Sequence, residues 1–553
     1  MRASLASSIA VTCAAVLALP VSLAAPAAAV VPSALGLPRA VSALPSTTSV
    51  ASAEDPATPS TTSAVTAADP ALPSTTSVAP EVDPALPSTT SVAPGADPAL
   101  PPADPAVSPA ESALSPAAPA LPPAPELPGS TQSLPLAPLA SATRALGGET
   151  AGAGEQGLTR RDVRPFSLVG VVWDDPAAPL HGTVQVRTRA TGATGGAGWS
   201  PWQDVETHNE EHGADPDTAE GTTRAIRGST APLWVGDSDG VEIRVRGEEP
   251  LPAGLRLELV DPGEDPAAEV PAAEAPAPHR SRTAAAPAAP AAPAGLSAAE
   301  AAASGVNSQL AAYGATWIPA LSKEATELAF RQAAPLRAAG QAAPVALAAA
   351  KPYIGPRPKI ITRKGWGADE RLREKGFVYT KTIKAAFVHH SATGNNYTCR
   401  QAPSVLRSIY RYHVKSSGWR DFGYNFAVDK CGNIYEGRAG GVAKPVLGAH
   451  TLGFNTNSMG IAVLGTYSQS AAPAAAVTAV ARLTAWKLGL HGVNPKGAAY
   501  LVSGGGNRYR KGTTVRFNAI AGHRDGFATE CPGGRLYNKL PTARTTSAKY
   551  QGR

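Results

Sequence analysis

The sequence predicts an α/β domain near the C-terminus, preceded by an all-β sandwich-like domain and by linkers rich in Pro and Ala. Short apolar or alternating runs, separated by Gly, Pro and Asp, fill residues 158–263. Between residues 356 and 545, an apolar strand pattern at Ile383–Val388 is followed by helical spacing at Pro403–Val414 and Ala471–Leu490. The remaining segments have too few bulky apolar residues to form a core of their own.

The first 29 residues are typical of a secretory signal peptide. Arg2 gives a positive start, Ile9–Leu23 is mostly apolar, and Ala25–Ala29 offers small residues for cleavage. No later run of about 18 apolar residues follows, so the sequence predicts no membrane span. We therefore expect a secreted protein, extracellular or associated with a cell wall.

Two low-complexity segments are predicted to be linkers. Residues 30–157 repeat a unit close to Asp-Pro-Ala-Leu-Pro-Ser-Thr-Thr-Ser-Val-Ala-Pro, with Asp55, Asp69, Asp83 and Asp97 at a period of 14. This composition favours an extended, polyproline-like spacer. Residues 264–355 are rich in Ala and Pro, and Glu324–Ala350 could be partly helical.

The all-β prediction for residues 158–263 depends on five strand-like runs, at 167–173, 182–188, 231–235, 241–246 and 255–260. Four Trp residues concentrate in the same region, at positions 173, 199, 202 and 234. Core packing explains most of them best. The spacing Gly198-Trp-Ser-Pro-Trp202 leaves stacking against a sugar open as an alternative.

Three residues of metal-binding type stand in two short motifs. His389 ends the predicted buried strand, while His523 and Cys531 lie eight residues apart in a Gly-rich loop. Neighbouring strand residues face opposite sides, so His389 and His390 cannot both reach one metal. Two imidazoles and a thiolate suit zinc and leave a fourth corner for water, as in catalytic sites. Spacing alone leaves open a hydrogen-bonded core His and an ordinary loop.

Six motifs occur in order between about Pro356 and Ala543: Phe387–Thr393, Gly418–Phe426, Asp429–Arg438, Gly448–His450, Gly453–Ile461 and Gly522–Gly534. On these motifs the segment resembles the zinc-dependent N-acetylmuramoyl-L-alanine amidases of the peptidoglycan recognition protein group, which includes phage lysozyme-type amidases. The resemblance implies a mixed β-sheet flanked by helices, with one zinc ion on an open face. It implies that His389, His523 and Cys531 are the metal ligands.

The resemblance also assigns roles around the metal. It makes Tyr424 and Thr529 catalytic, with Tyr424 beside the attacking water and Thr529 positioning the scissile carbonyl. It places His450 and Asn455 in the groove that holds the glycan and stem peptide. From the residues alone, Tyr424 could equally be a core aromatic, and His450 a strand-end His with a backbone partner.

The implied activity is hydrolysis of the amide between N-acetylmuramic acid and L-alanine in peptidoglycan. Zinc would lower the pKa of a bound water to about 7. No Glu stands where an H-E-x-x-H protease would carry its base. Few carboxylates follow residue 356, which disfavours a glycosidase without excluding one. The main alternative is a protein that binds peptidoglycan without cutting it.

The cysteines fit an oxidising compartment. Cys13 belongs to the predicted signal peptide, which leaves Cys399, Cys431 and Cys531. If Cys531 binds zinc as the resemblance implies, Cys399 and Cys431 can form a disulfide. Two free buried thiols are the alternative.

Charge is distributed unevenly along the chain. Residues 356–553 carry 30 Lys and Arg against 8 Asp and Glu, whereas residues 1–355 carry 19 against 35. A basic domain usually suggests nucleic acid. With a secretion signal, peptidoglycan and anionic wall polymers are the expected partners instead, with no nucleic acid. We expect a monomer.

Overall fold

The structure is a computed structural model that describes residues 129–139, 154–193, 198–209, 211–222, 225–265, 295–333 and 352–553. The predicted signal peptide and the 14-residue repeats lie outside these residues. The described residues form an N-terminal all-β domain and a C-terminal α/β domain.

The β-domain is one sheet with the strand order β1-β8-β3-β7-β4-β5, in which β2 and β6 also pair with β3. Its strands are β1 Ser130–Pro135, β2 Ala137–Pro138, β3 Glu155–Trp173, β4 Gly182–Ala190, β5 Gln203–Val205, β6 Gly228–Ser229, β7 Leu233–Gly247 and β8 Arg256–Asp261. All pairings are antiparallel. Register shifts in the β3–β7 pairing bend these two long strands, so apolar side chains of five strands meet in one core. The predicted runs 231–235 and 241–246 prove to be parts of the single strand β7.

The prediction of a linker over residues 130–138 is wrong. Strand β1 pairs with β8 over six register positions, from Ser130 opposite Asp261 to Pro135 opposite Arg256. The proline content concealed this strand in the sequence. Because β1 lies at the edge of the sheet, Pro135 is tolerated there.

The four Trp residues divide into two pairs. Trp173 and Trp234 are each 3% exposed and pack in the interior, as predicted for core residues. Trp199 and Trp202 are partly exposed, but guanidinium groups cover them: Arg160 stacks on Trp199 at 5.1 Å and Arg244 on Trp202 at 4.3 Å from the ring centroids.

The α/β domain contains a seven-stranded mixed sheet in the order β17-β11-β14-β12-β13-β10-β9. Its strands are β9 Trp317–Ile318, β10 Ile360–Ile361, β11 Ala385–His390, β12 Phe426–Val428, β13 Ile434–Glu436, β14 Ser458–Val463 and β17 Ile520–Gly522. A separate hairpin pairs β15 Ala498–Val502 with β16 Thr514–Asn518. Strand β11 is parallel to both of its neighbours, β14 and β17, and is buried along its whole length. A continuous apolar run is typical of such a central strand.

Helices flank this sheet. They are α1 Ala298–Gly305, α2 Lys323–Gln332, α3 Ala402–Arg411, α4 Ala474–Leu490, α5 His523–Gly526, α6 Gly534–Tyr537 and α7 Leu540–Gln551. The predicted helix over residues 471–490 corresponds to α4, and Pro473 precedes its first turn. The predicted helix over 403–414 is α3, which continues as a π-helix over Tyr412–Ser416. No described helix is long and apolar enough to cross a membrane.

Part of the predicted second linker belongs to the α/β domain. Strand β9 pairs with β10, and Asn307, just after α1, donates a 2.8 Å hydrogen bond to the buried Glu436 of β13. The Ala-rich composition of residues 295–333 concealed these contacts. Within 324–350, the described helix is α2, which ends at Gln332.

The two domains pack directly against each other. Leu168, Val172, Trp234 and Val260 of the β-domain share one apolar cluster with residues of α3 and the π-helix. The Tyr412 hydroxyl donates to the carbonyl of Thr230 at 3.0 Å. The sequence suggested two domains separated by spacers, whereas the described parts of both form one continuous interface.

A disulfide joins Cys399, just before α3, to Cys431 in the turn between β12 and β13. Their Cα atoms are 6.2 Å apart. Cys531 is free and buried.

Candidate metal centre

The three predicted ligands converge at one end of the central strands. His389 is near the end of β11, and His523 begins α5 directly after β17, which pairs with β11. The loop returns so that the Arg524 amide donates to the Cys531 carbonyl at 2.9 Å. Gly522 is needed here, because a Cβ atom at this position would lie 2.6 Å from the Tyr537 ring.

The ring centroids of His389 and His523 are 4.4 Å apart, and Cys531 Sγ lies 3.8 Å from His389 Nδ1. A sulfur and a nitrogen bound to the same tetrahedral zinc are separated by about 3.6 Å. The three side chains therefore have a spacing that one ion could bridge.

A fourth side chain of metal-binding type comes from the other domain. His212, in the segment between β5 and β6, joins the cluster with its ring centroid 4.6 Å from that of His523. One donor atom from each of His212, His389, His523 and Cys531 lies within 4.8 Å of all the others. The sequence predicted an open fourth corner, whereas the structure places His212 where it could supply a fourth donor.

Sequence reasoning missed His212 because it stands 177 positions before His389 in an acidic loop with no ligand motif. Its unusual setting, a His among Glu and Asp, was the only local signal.

The donor set fits zinc. Among the described residues, neither ring nitrogen of His212 or His523 has a hydrogen-bond partner, although both side chains are buried. An unpaired buried polar atom costs about 1–3 kcal/mol, and a single bound ion would give one nitrogen of each ring a partner. Zinc prefers four imidazole and thiolate ligands, whereas Mg²⁺ and Ca²⁺ prefer oxygen ligands.

Burial determines the protonation of these groups. It lowers the pKa of His212 to about 3 and those of His389 and His523 well below the usual range, with neighbouring imidazoles adding to the effect. Neutral imidazole is the form that binds a metal. Burial also raises the pKa of the Cys531 thiol. A bound cation would reverse this by stabilising the thiolate.

His450 lies behind the cluster rather than in an open groove. It is fully buried, and its Nδ1 is 3.0 Å from the Thr451 hydroxyl, which lies 3.4 Å from His389 Nε2. Thr451 thus links His450 to the ring nitrogen of His389 that faces away from Cys531. Such outer contacts fix the orientation of a ligating imidazole.

Asn455 holds two loops together. Its Oδ1 accepts from the amides of His450 at 2.7 Å and Thr451 at 3.1 Å. Its Nδ2 donates to Asp215 Oδ1 of the β-domain at 2.7 Å and to the Gly213 carbonyl at 2.8 Å. The predicted groove residue therefore contacts the chain itself.

Tyr424 and Thr529 border a cavity of about 450 Å³ beside the cluster. The Tyr424 ring centroid is 5.2 Å from that of His389, and its side chain is buried. The Thr529 hydroxyl donates to Glu211 Oε1 at 2.7 Å and accepts from the Cys531 amide at 3.0 Å. Thr529 thus contacts both the metal-ligand loop and the β-domain segment.

His390 and His413 also line the same cavity. His390 points away from the cluster, as strand alternation predicts, and its Nδ1 accepts from the Tyr467 amide at 3.3 Å. His413, in the π-helix, stacks on Trp419 with ring centroids 4.4 Å apart. Sequence reasoning did not single out His413, because the π-helical turn that places it has no simple sequence signal.

The fold and the buried His/Cys cluster define an amidase-type α/β domain. Residues 379–534 match the family described as N-acetylmuramoyl-L-alanine amidase. Residues 116–291 match the family described as Rv3811 N-terminal galactose-binding domain-like.

The chain is similar to peptidoglycan-recognition protein SC2 of Drosophila melanogaster, with 30% identity over 185 residues that cover 33% of this chain and 85% of the relative. It is also 31% identical over 189 residues to the N-acetylmuramoyl-L-alanine amidase of Homo sapiens, covering 34% of this chain and 28% of that protein. Among solved structures, Drosophila PGRP-LB matches with 26% identity and a TM-score of 0.26, covering 33% of this chain and 92% of that one. The chain belongs to the family of peptidoglycan-recognition proteins and N-acetylmuramoyl-L-alanine amidases.

Proposed function

We propose that the protein is a secreted zinc amidase that cleaves the bond between N-acetylmuramic acid and L-alanine in peptidoglycan. The observation that carries this proposal is the donor set of His389, His523 and Cys531, of which Cys531 lines a cavity together with Tyr424 and Thr529. Membership of the amidase family and the Cys399–Cys431 disulfide support the substrate class and the extracellular location.

Zinc, when bound to these residues, would act as a Lewis acid on the scissile carbonyl and promote ionisation of water. The remaining steps fall to side chains. Tyr424 borders the cavity with a hydroxyl suited to donating a proton or a hydrogen bond where negative charge develops. Thr529, once free of Glu211, can turn its hydroxyl toward a carbonyl oxygen.

Around this site, Thr451 holds His389 in orientation, and the packed walls restrict the access of water. The described part of the chain offers no H-E-x-x-H helix, and we assign proton transfer to Tyr424, whose ring centroid lies 5.2 Å from that of His389.

A second candidate function is recognition of peptidoglycan without cleavage. One observation favours it: the four protein donors include His212, and a four-coordinate protein site leaves no position for water. The two functions differ in whether His212 remains in place when substrate is present.

A direct test uses the purified full chain, loaded with zinc and incubated with soluble muropeptides. Mass spectrometry should detect free stem peptide, and Cys531→Ser should lose nearly all of this release together with most of its bound zinc. His181→Ala, which changes an exposed His of the β-domain, is the matched control. Binding of muropeptides without release of peptide, by the unmodified chain and by His212→Ala alike, would reject the amidase and leave the recognition function.

A further inference from the structure

The segment between β5 and β6 has an unusual composition. Residues 206–220, here the acidic segment, contain six carboxylates and no Lys or Arg. The α/β domain against which it packs carries the positive excess of the chain. Complementary charge favours contact between the two surfaces.

Three acidic side chains of the segment make buried contacts with the α/β domain. Glu211 accepts from the Thr529 hydroxyl at 2.7 Å, and Asp215 accepts from the Gly453 amide at 2.8 Å. Glu220 pairs with both terminal nitrogens of Arg438, each at 2.8 Å. Each of these three acidic residues is at most 7% exposed, so these are specific contacts rather than loose surface pairs.

The backbone of the segment is also engaged. The Leu452 amide donates to the Glu211 carbonyl at 3.0 Å, and Asn455 donates to the Gly213 carbonyl at 2.8 Å. The segment therefore lies along the loop that contains Thr451 and Asn455, as an extended ligand would. Between these two anchored points, His212 enters the metal cluster.

We propose that the acidic segment is a built-in occupant of the substrate groove, and that His212 closes the metal site as its fourth ligand. The full chain is then latent, and cleavage requires the segment to leave. This inference depends on the proposed amidase function only for its effect on catalysis. The closed metal site depends only on the contacts of His212 and of the acidic segment.

Ordinary interface packing does not account for His212. A His buried only to fill space would place at least one ring nitrogen against a donor or acceptor. In the described structure neither nitrogen has a hydrogen-bond partner, with Nδ1 3.9 Å from Glu211 Oε1, whereas three other metal-binding side chains surround the ring.

The first test measures zinc affinity of the full chain by competition with a chelator. His212→Ala should weaken zinc binding by about tenfold or more, since one of four ligands is lost. His212→Cys should retain tight binding because a thiolate can replace the imidazole. His181→Ala is the control. Equal zinc affinity in His212→Ala and the unmodified protein would overturn the closed site.

The second test follows hydrogen exchange of residues 206–220 in the zinc-loaded full chain. Asp215→Ala should speed exchange of the segment by about tenfold or more, because buried contacts to Gly453 and Asn455 are lost. The matched control is Asp217→Ala. Asp217 belongs to the same segment, but its pair with Lys511 is exposed. Unchanged exchange in Asp215→Ala would show that the segment is not held in the groove by these contacts.

The third test compares release of stem peptide from soluble muropeptides at saturating zinc. His212→Ala and Asp215→Ala should both cleave about tenfold faster than the unmodified chain. If both variants cleave no faster than an active unmodified chain, latency is overturned while the amidase stands. If zinc affinity and exchange change as expected but no protein cleaves, the closed site stands and the amidase fails.

Discussion

The buried carboxyl group of Glu436 should make the stability of the α/β domain fall as pH rises. Glu436 lies on β13 and is 2% exposed. It accepts from Asn307 Nδ2 at 2.8 Å and from the Arg363 amide at 3.2 Å. Burial raises its pKa from 4.5 to about 7, although these hydrogen bonds and the charge of Arg363 act in the opposite direction.

The sign and size follow from linkage. Because the pKa is higher in the folded protein, the folded state binds the proton more tightly between pH 4.5 and 7. The stabilising contribution is therefore complete below pH 4.5 and is lost as pH rises through 7. A difference of this size corresponds to about 3 kcal/mol at 1.36 kcal/mol for each pH unit.

Glu436→Gln isolates this effect. The Gln side chain does not titrate, and its carbonyl can still accept from Asn307, but its amide would face the Arg363 N–H and lose that hydrogen bond. The variant should be less stable than the unmodified protein by about 1 kcal/mol at low pH. It should be more stable above pH 7, so that the two stability curves cross.

Urea unfolding between pH 4.5 and 8 measures both curves. Glu374→Gln, at a carboxylate whose side chain is 57% exposed, controls for the change from acid to amide. Parallel curves for Glu436→Gln and the unmodified chain would refute the reasoning.

Three further predictions concern the site, the disulfide and the charge. Tyr424→Phe should lower kcat by about 10² with little change in bound zinc, whereas an unchanged kcat in the cleavage assay would leave Tyr424 as packing only. Replacing both Cys399 and Cys431 with Ala should lower the free energy of unfolding by about 3–4 kcal/mol, because the disulfide closes a loop across a separation of 32 residues. Urea unfolding measures this, and a loss below about 1 kcal/mol would argue against it. Sedimentation of the full chain with insoluble walls should decrease steeply as salt rises, since exposed charges are screened beyond about 10 Å at 0.1 M. If wall binding did not change with salt, contacts in the groove rather than exposed charges would account for it.

The sequence allowed the α/β fold to be predicted from local pattern, while the family resemblance of the motifs predicted which three side chains come together. His389 ends a continuous apolar run, and a central parallel strand requires such a run. His523 and Cys531 occur in one short loop. Alternation of apolar and polar residues predicted most strands of the β-domain. Strand β1 was missed because Pro135 and the Pro-rich sequence around it hid this alternation.

The contacts between domains could not be predicted in the same way. His212, Asp215 and Glu220 are polar residues in a loop without periodicity, and nothing in that loop indicates which surface it contacts. Their partners Asn455 and Arg438 are over 200 positions away. Pairing at such separation depends on how the two cores pack, and the apolar cluster that joins the domains draws its members from both.

The uneven charge of the chain can serve contacts within the chain as well as binding to anionic wall polymers. From sequence, the basic C-terminal domain suggested binding to anionic wall polymers. In the structure, Arg438 is already neutralised by Glu220, and Lys511 pairs with Asp217 at 2.6 Å. The buried pair contributes specificity, because either partner alone would leave an uncompensated charge. The exposed pair contributes little and is open to screening. An anionic polymer that displaced the acidic segment from Arg438 and Lys511 would therefore couple wall binding to opening of the proposed metal site.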